Sequence, residues 1–190
     1  MNTVEPIRSL KKLEDMKKFL LGSNVRDYAL FVFAINNALR ISDILKFRWQ
    51  DVLEVDQKFK KQIYIREKKT GKEKRFLLNK NAMEALERLM EARQAVCSNE
   101  YIFTSRQGQN VPITSVRAWQ IIKEAATAVG IKEIIGCHST RKTWGYHAWK
   151  KGVPLALIME MLNHSSLSTT KRYLGITQDN INEAIEKLNL

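Results

Sequence analysis

"HSTRKTWGYHAW", residues 138–149, is the stretch of sequence on which the fold assignment depends. It places His138 three residues before Arg141 and follows them with a lysine and several aromatic residues. On a helix, side chains three residues apart share a face, so this pair can act on one ligand. Two interpretations are open at this point: an amphipathic helix with a polar surface, or half of a phosphate-handling site.

A second arginine with a polar neighbour occurs early in the chain. In "RISD", residues 40–43, Arg40 and Asp43 also lie three residues apart. A guanidinium binds phosphate through two parallel hydrogen bonds, and a nearby carboxylate can hold it rigid. Two such arginines, one from each half of the chain, can clamp a single phosphate. Taken alone, each arginine is more simply explained as a solvated side chain on a helix.

The charge balance favours nucleic acid as the partner. The 190 residues include 32 Lys and Arg against 20 Asp and Glu, a formal net charge of +12. A fold does not need this excess, but a basic surface attracts polyanions, and neutralising phosphates releases counterions. The alternative is a basic protein with a solvated lysine coat.

Cysteine usage and hydropathy argue against several other classes. Cys97 and Cys137 are isolated in the sequence, so neither a disulfide framework nor a structural metal is indicated. No signal peptide is found, and the longest apolar run, "YALFVFAI", is far too short to span a bilayer. We therefore expect a cytoplasmic protein with no membrane partner.

Helical spacing dominates the hydrophobic pattern of the first half. Ser9 is expected to cap one helix and Asn24 the next, whose buried stripe runs to Leu39, and "RISDIL" begins a short third helix. The period then changes to two. "QIYIRE" (62–67) and "EKRFLL" (73–78) flank the turn "KKTGK" (68–72), which predicts a β-hairpin with a basic tip.

The second half is expected to be mostly helical. Its helices are predicted to begin at or beside Asn79, at Thr114 or Ser115, at Ser139 or Thr140, at Pro154, and at Ser168 or Thr169. The total is an α+β domain, mostly helical, with a small antiparallel sheet between its halves.

One further segment completes an ordered set of motifs. "NHSSLSTTKRY", residues 163–173, places His164 23 residues after Arg141 and Tyr173 nine residues after His164. With "RISD", "KKTGK" and "HSTR" before it, the chain resembles the catalytic domain of the tyrosine recombinases, the phage integrase family, from about residue 8 to residue 180. The resemblance implies that family's catalytic-domain fold and a site-specific DNA recombinase or integrase.

The resemblance also implies a set of catalytic residues. The set is Arg40, Lys69 (with Lys68 as the alternative), His138, Arg141, His164 and the nucleophile Tyr173, with Asp43 in the place of a supporting acidic residue that is more often Glu. Three positions depart from the family pattern without removing a catalytic side chain. Thr140 replaces Leu, Lys142 replaces His, and Asn163 replaces a Gly whose left-handed backbone Asn also tolerates.

The chemistry can be argued from the side chains themselves. A phenol with an ordinary pKa of about 10 is a weak nucleophile toward a phosphodiester, so cationic groups must neutralise the oxyanion, and Arg40 and Arg141 can do so. The leaving 5′-oxygen needs a general acid, for which the hairpin lysine Lys69 is suited, while His138 helps to move the tyrosine proton and His164 binds a non-bridging oxygen. The product is a 3′-phosphotyrosyl enzyme, which a 5′-hydroxyl of another strand can reverse. No cofactor or metal is expected, because no clustered carboxylates are present to hold magnesium.

The remaining expectations concern organisation and partners. Residues 1–190 are expected to form a single catalytic domain without the N-terminal DNA-binding domain that most family members carry. The expected partner is double-stranded DNA, with a monomer in solution and higher-order assembly on DNA. An apolar stripe in "TQDNINEAIEKLNL" (177–190) either completes the protein's own core or packs into a neighbouring protomer. Two alternative functions stay open: nicking and resealing like a type IB topoisomerase, and a non-catalytic DNA-binding regulator with the same fold.

Overall fold

The first half of the chain begins with helices whose N-termini are capped by the predicted polar side chains. The computed structural model describes residues 4–67, 71, 73–176 and 186. Ser9 accepts a hydrogen bond from the backbone of Lys12, and Asn24 accepts from Arg26 and Asp27. These bonds satisfy backbone N–H groups that the first helical turn leaves unpaired. The helices of this half are α1 Leu10–Ser23, α2 Val25–Ile35, α3 Ile41–Ile44 and α4 Trp49–Val52.

The prediction that the second helix extends to Leu39 is wrong, and the reason lies in two asparagines. The side-chain amides of Asn36 and Asn37 donate to the carbonyls of Val32 and Phe33, at 2.7 and 2.6 Å. Side chains that bond to nearby backbone groups compete with helix continuation. The chain therefore leaves α2 at Ile35, and extended backbone at Arg40 precedes α3.

The predicted hairpin is present. Strand β1 (Gln62–Arg66) pairs antiparallel with β2 (Glu73–Leu77), and its register places Ile63 opposite Phe76 and Ile65 opposite Lys74. Because side chains alternate along a strand, these four residues share the inner face. Ile63 is completely buried and Phe76 is nearly so. Lys74 is therefore carried inward by the same alternation.

A large core joins the hairpin to the helices of both halves. Asn79 caps α5 (Lys80–Arg93) and Thr114 caps α6 (Ser115–Ala128), as the sequence predicts. Trp49 of α4 is completely buried in this core, together with apolar residues of α1, α2, α5 and α6. Ile44 of the short helix α3 is buried in the same core, so one side of α3 packs against it.

Three helices between residues 137 and 174 surround a small second core. They are α7 Cys137–Lys150, α8 Leu155–Met161 and α9 Leu167–Leu174. Ala38, Ile158, Leu162 and Leu174 are buried in this core, and Trp144 and Trp149 pack partly against it. The core fixes α9 against α7 and α8.

Two of the predicted helix starts are too late, that of α7 by two or three residues and that of α9 by one or two. Helix α7 begins at Cys137 because Gly136 is its N-cap, and the Gly136 N–H donates to the Ser139 hydroxyl at 3.1 Å. Helix α9 begins at Leu167 because the Ser166 side chain, rather than Ser168 or Thr169, accepts the capping bond. Helix α7 therefore includes His138 in its first turn.

The predicted C-terminal helix falls on residues 177–190, of which the structure describes only Glu186, in helical conformation. Its apolar stripe lies outside the described residues. Across the part of the chain that is described, none of the helices has the length and apolar character that a bilayer-spanning helix needs.

Candidate active site

Arg40 and Arg141 approach each other from opposite halves of the chain. Arg40 immediately precedes α3, and its side chain is 17% exposed. Arg141 lies in α7 and is 3% exposed, with its Nη2 donating to the carbonyl of Leu162. Burial lowers the pKa of Arg141, and the Arg40 charge lowers it further. The two guanidinium groups are thus close enough to repel each other inside the protein.

Two buried carboxylates compensate this positive charge. Glu67, which follows β1, is 1% exposed, and its Oε2 lies 3.0 Å from Arg40 Nη1. Asp43 is completely buried and raises the pKa of Arg141, as Glu67 also does. Sequence reasoning named Asp43 and missed Glu67. The signal was present, because Glu67 continues the inward alternation of Ile63 and Ile65.

Tyr173 and His164 lie side by side next to the arginines. Their ring centroids are 4.8 Å apart in an edge-to-face arrangement, and His164 Nδ1 is 3.1 Å from the Thr170 hydroxyl. Burial raises the pKa of Tyr173, while Arg141 and Arg40 oppose that rise. Burial also lowers the pKa of His164, and the two arginines lower it further. Four of the sequence-predicted side chains therefore act on one another electrostatically.

Several polar atoms in this cluster have no hydrogen-bond partner among the described residues. They are Nε and Nη1 of Arg141 and the hydroxyl of Tyr173, each fully buried. Buried polar atoms are almost always paired, so unpaired ones need a reason. The Arg141 guanidinium and the Tyr173 hydroxyl influence each other's pKa, so they lie close together. Their unpaired N–H and O–H groups can therefore donate hydrogen bonds to several oxygens of one anion.

Two lysines in the cluster were not predicted as site residues. Lys74 of β2 donates through Nζ to the carbonyl of Met161, and burial, followed by the Arg141 charge, lowers its pKa to about 8. Lys142 is 5% exposed, and its Nζ lies 5.2 Å from the centroid of the Tyr173 ring. The inward alternation of β2 pointed to Lys74, and the departure from the family's usual His pointed to Lys142.

The structure gives less about the other predicted residues. His138 lies one turn before Arg141 on α7 and is exposed. Lys69 and Lys68 lie outside the described residues. Within the described ranges, no group of three or more His, Cys, Asp or Glu side chains is arranged to hold a metal ion.

Comparison with known proteins supports one family. The model of the phage integrase family matches residues 10–179. A probable integrase/recombinase, YoeC of Bacillus subtilis, is 42% identical over 94% of this chain and 93% of its own length. The tyrosine recombinase XerA of Pyrococcus horikoshii is 27% identical over 96% of this chain, which spans 62% of that protein's length.

The fold is shared with solved structures as well. The structure of the Tn1549 transposon integrase, in complex with transposon right end DNA, matches all of this chain and 68% of its own with a TM-score of 0.72 at 16% identity. The fold expected from the sequence is thereby confirmed. Because the family model covers most of the chain and YoeC exceeds 40% identity, the chain belongs to the phage integrase family, whose members among these relatives are named integrases and tyrosine recombinases.

Proposed function

We propose that this chain breaks and rejoins double-stranded DNA at a specific site, with Tyr173 as the nucleophile. The chain belongs to the phage integrase family, and its relatives include proteins named tyrosine recombinases. The observation that carries the proposal is the buried, partly unpaired Arg141 guanidinium beside the unpaired Tyr173 hydroxyl. Together they form a binding place for one phosphodiester next to a nucleophile.

The proposed step transfers the phosphoryl group from a DNA 5′-oxygen to Tyr173. The tyrosine oxygen attacks the phosphorus, its proton leaves, and the 5′-oxygen departs as a hydroxyl after accepting a proton. Arg40 and Arg141 neutralise the equatorial oxygens of the pentavalent transition state. Lys69 is the proposed donor to the leaving oxygen, His138 assists the departing tyrosine proton, and His164 binds a non-bridging oxygen.

Burial of Tyr173 is consistent with this order of events. Its raised pKa keeps the phenol protonated at neutral pH, so free phenolate does not accumulate before DNA binds. The proton must leave while the new bond forms. The two nearby arginines stabilise the oxygen's developing negative charge only at that moment, and such differential stabilisation is what accelerates a reaction.

The proposed partner is double-stranded DNA. The chain carries 32 basic against 20 acidic residues, and the Tn1549 integrase, which shares its fold, was solved in complex with DNA. We further propose that the protein is a monomer in solution, assembles into higher complexes on DNA, and acts in the cytoplasm. Strand exchange needs at least two protomers on paired sites, because each tyrosine cleaves one strand.

Covalent capture on nicked DNA tests the proposal. A pool of duplexes covering the DNA that flanks the gene is nicked a few nucleotides from each possible cleavage position, so cleavage releases a short fragment and resealing is prevented. We expect a protein–DNA adduct on denaturing gels, which Tyr173→Phe abolishes while still binding DNA. The matched control is Tyr146→Phe, which alters a tyrosine on α7 and keeps the adduct. Adduct formation by Tyr173→Phe at the wild-type yield would show that the nucleophile is another residue.

A further inference from the structure

Glu67 occupies an unusual place for a carboxylate. It immediately follows β1, is 1% exposed, and its carbonyl accepts a hydrogen bond from the Gly71 N–H at 2.9 Å, which closes the hairpin. A charged side chain is rarely this buried unless it is paired. The burial of the Glu67 carboxylate therefore needs partners for its side chain, which the hairpin bond of its backbone does not supply.

One oxygen of Glu67 joins the two halves of the site. Oε2 lies 3.0 Å from Arg40 Nη1 and accepts a hydrogen bond from the side-chain amide of Asn163 at 2.9 Å. Arg40 belongs to the first half of the chain, and Asn163 directly precedes His164 in the second. Glu67 is thus a shared partner of the first arginine and of the turn that places His164.

The backbone conformation of Asn163 helps to explain why asparagine occupies this position. Its φ is +50°, in the left-handed region that non-glycine residues seldom adopt. The family usually has glycine here, which would adopt this conformation without strain. Asparagine is among the few other residues that tolerate it, and it supplies the amide that reaches Glu67.

The surrounding charges show what Glu67 contributes electrostatically. Arg40, Lys74 and Arg141 interact with the carboxylates of Asp43 and Glu67, three positive charges against two. The charge of Lys142 interacts instead with Glu5 and Arg8, and the half-exposed Lys46 lies 4.0 Å from Asp43. A phosphodiester carries one negative charge. Neutralising Glu67 would therefore make the pocket more attractive to DNA phosphate while it removes the ion pair between Glu67 and Arg40.

We propose that Glu67 is a positioning residue, which acts through Arg40 and the Asn163 turn to fix the phosphate-binding side chains for cleavage. The inference rests on the proposed function and deepens it. The proposal predicts different effects on the cleavage rate and on DNA affinity. The variant that distinguishes them is Glu67→Gln, which keeps the size of the side chain but loses its charge. We expect a 10- to 100-fold lower single-turnover cleavage rate, because small displacements of aligned groups have effects of this size. DNA affinity should be equal or higher.

The test measures adduct formation and DNA binding in parallel. Glu73→Gln is the matched control, since it makes the same substitution at an exposed position on the same hairpin, and it should cleave like the wild type. A second substrate replaces one non-bridging oxygen of the scissile phosphate by a methyl group. That phosphate is uncharged and depends less on Arg40, so the loss caused by Glu67→Gln should shrink on it. A merely structural defect would slow both substrates equally.

A second variant keeps the proposal open to refutation if Glu67→Gln does not fold. Asn163→Gly restores the family's usual residue, keeps the left-handed backbone and removes only the amide, and we expect three- to tenfold slower cleavage. Wild-type cleavage rates in both Glu67→Gln and Asn163→Gly, or equal losses on the two substrates, would overturn the role of Glu67. The proposed function fails separately, if the wild-type protein forms no adduct or Tyr173→Phe still forms one.

Discussion

Gly145 offers a way to move the nucleophile without touching it. The residue lies on α7 and faces the small second core, where a Cβ added to it would meet Leu174 Cδ2 at 2.5 Å and Leu162 Cδ1 at 3.5 Å. Leu174 is completely buried and directly follows Tyr173 on α9. Gly145→Ala therefore presses on the helix that carries the nucleophile.

Two opposing effects set the size of the stability change. Alanine is favoured over glycine inside a helix by about 1 kcal/mol. Overpacking a core costs about 1–3 kcal/mol. The net destabilisation is expected to be about 0–2 kcal/mol, so the variant stays folded. Relief of the contact needs about 1 Å of movement, because carbon atoms pack at about 3.5–4.0 Å.

Cleavage should be far more sensitive than stability to this movement. A misplacement of about 1 Å near a reacting group costs about 100-fold in rate, so we expect a 10- to 100-fold slower single-turnover adduct formation. Gly22→Ala is the matched control: Gly22 lies on α1, and an added Cβ meets nothing within 4 Å. The control should gain up to about 1 kcal/mol by urea unfolding and cleave normally. A Gly145→Ala protein that cleaves within threefold of the wild type would refute this account of how α9 is held.

Two further predictions concern lysines of the hairpin. Burial lowers the pKa of Lys74 from its ordinary value of 10.5 to about 8. Between pH 8 and pH 10.5 the unfolded chain therefore binds more protons than the folded protein. The free energy of unfolding should rise with pH across that window. Relative to Lys74→Met, the rise between pH 7 and pH 10 should be about 2–3 kcal/mol in urea titrations. Parallel pH profiles of the two proteins would contradict the burial of its charge. Lys69→Ala should cleave an ordinary phosphodiester slowly and recover on a substrate with a 5′-bridging sulfur, whose leaving group needs no proton. Recovery by Lys68→Ala instead would move the general acid to that residue.

Local signals were sufficient to predict most helix starts. Ser9, Asn24, Asn79 and Thr114 each cap the helix that follows, because a side-chain oxygen can satisfy the first backbone N–H groups whatever the rest of the chain does. The starts of α7 and α9 were placed too late for a related reason. Gly136 has no capping side chain, so nothing in the sequence favoured it over Ser139.

Some residues of the site could also be predicted from the sequence, and others could not. Motif order and spacing grouped Arg40, Arg141, His164 and Tyr173, and the structure brings these four together, although their roles remain proposals. Glu67 was missed because a charged residue at the end of a strand is exposed in most proteins. The alternation of Ile63 and Ile65 places it on the inner face, but its burial as a charged group depends on Arg40 and Asn163, which lie far from it in the sequence.

The balance of buried charge explains why so many ionisable groups are retained in one small volume. Burying a guanidinium is costly unless a carboxylate accompanies it, so Asp43 and Glu67 allow Arg40 and Arg141 to stay charged although both are largely buried. Full compensation, however, would leave no attraction for phosphate, and the three cations Arg40, Lys74 and Arg141 outnumber these two carboxylates by one charge. A bound phosphodiester cancels that charge and, by its own negative charge, raises the pKa of Lys74, so the lysine stays protonated when DNA is present. The transition state carries a second negative charge, which these described cations do not cancel. A proton donated to the leaving oxygen would remove that charge, and we propose Lys69 as its donor.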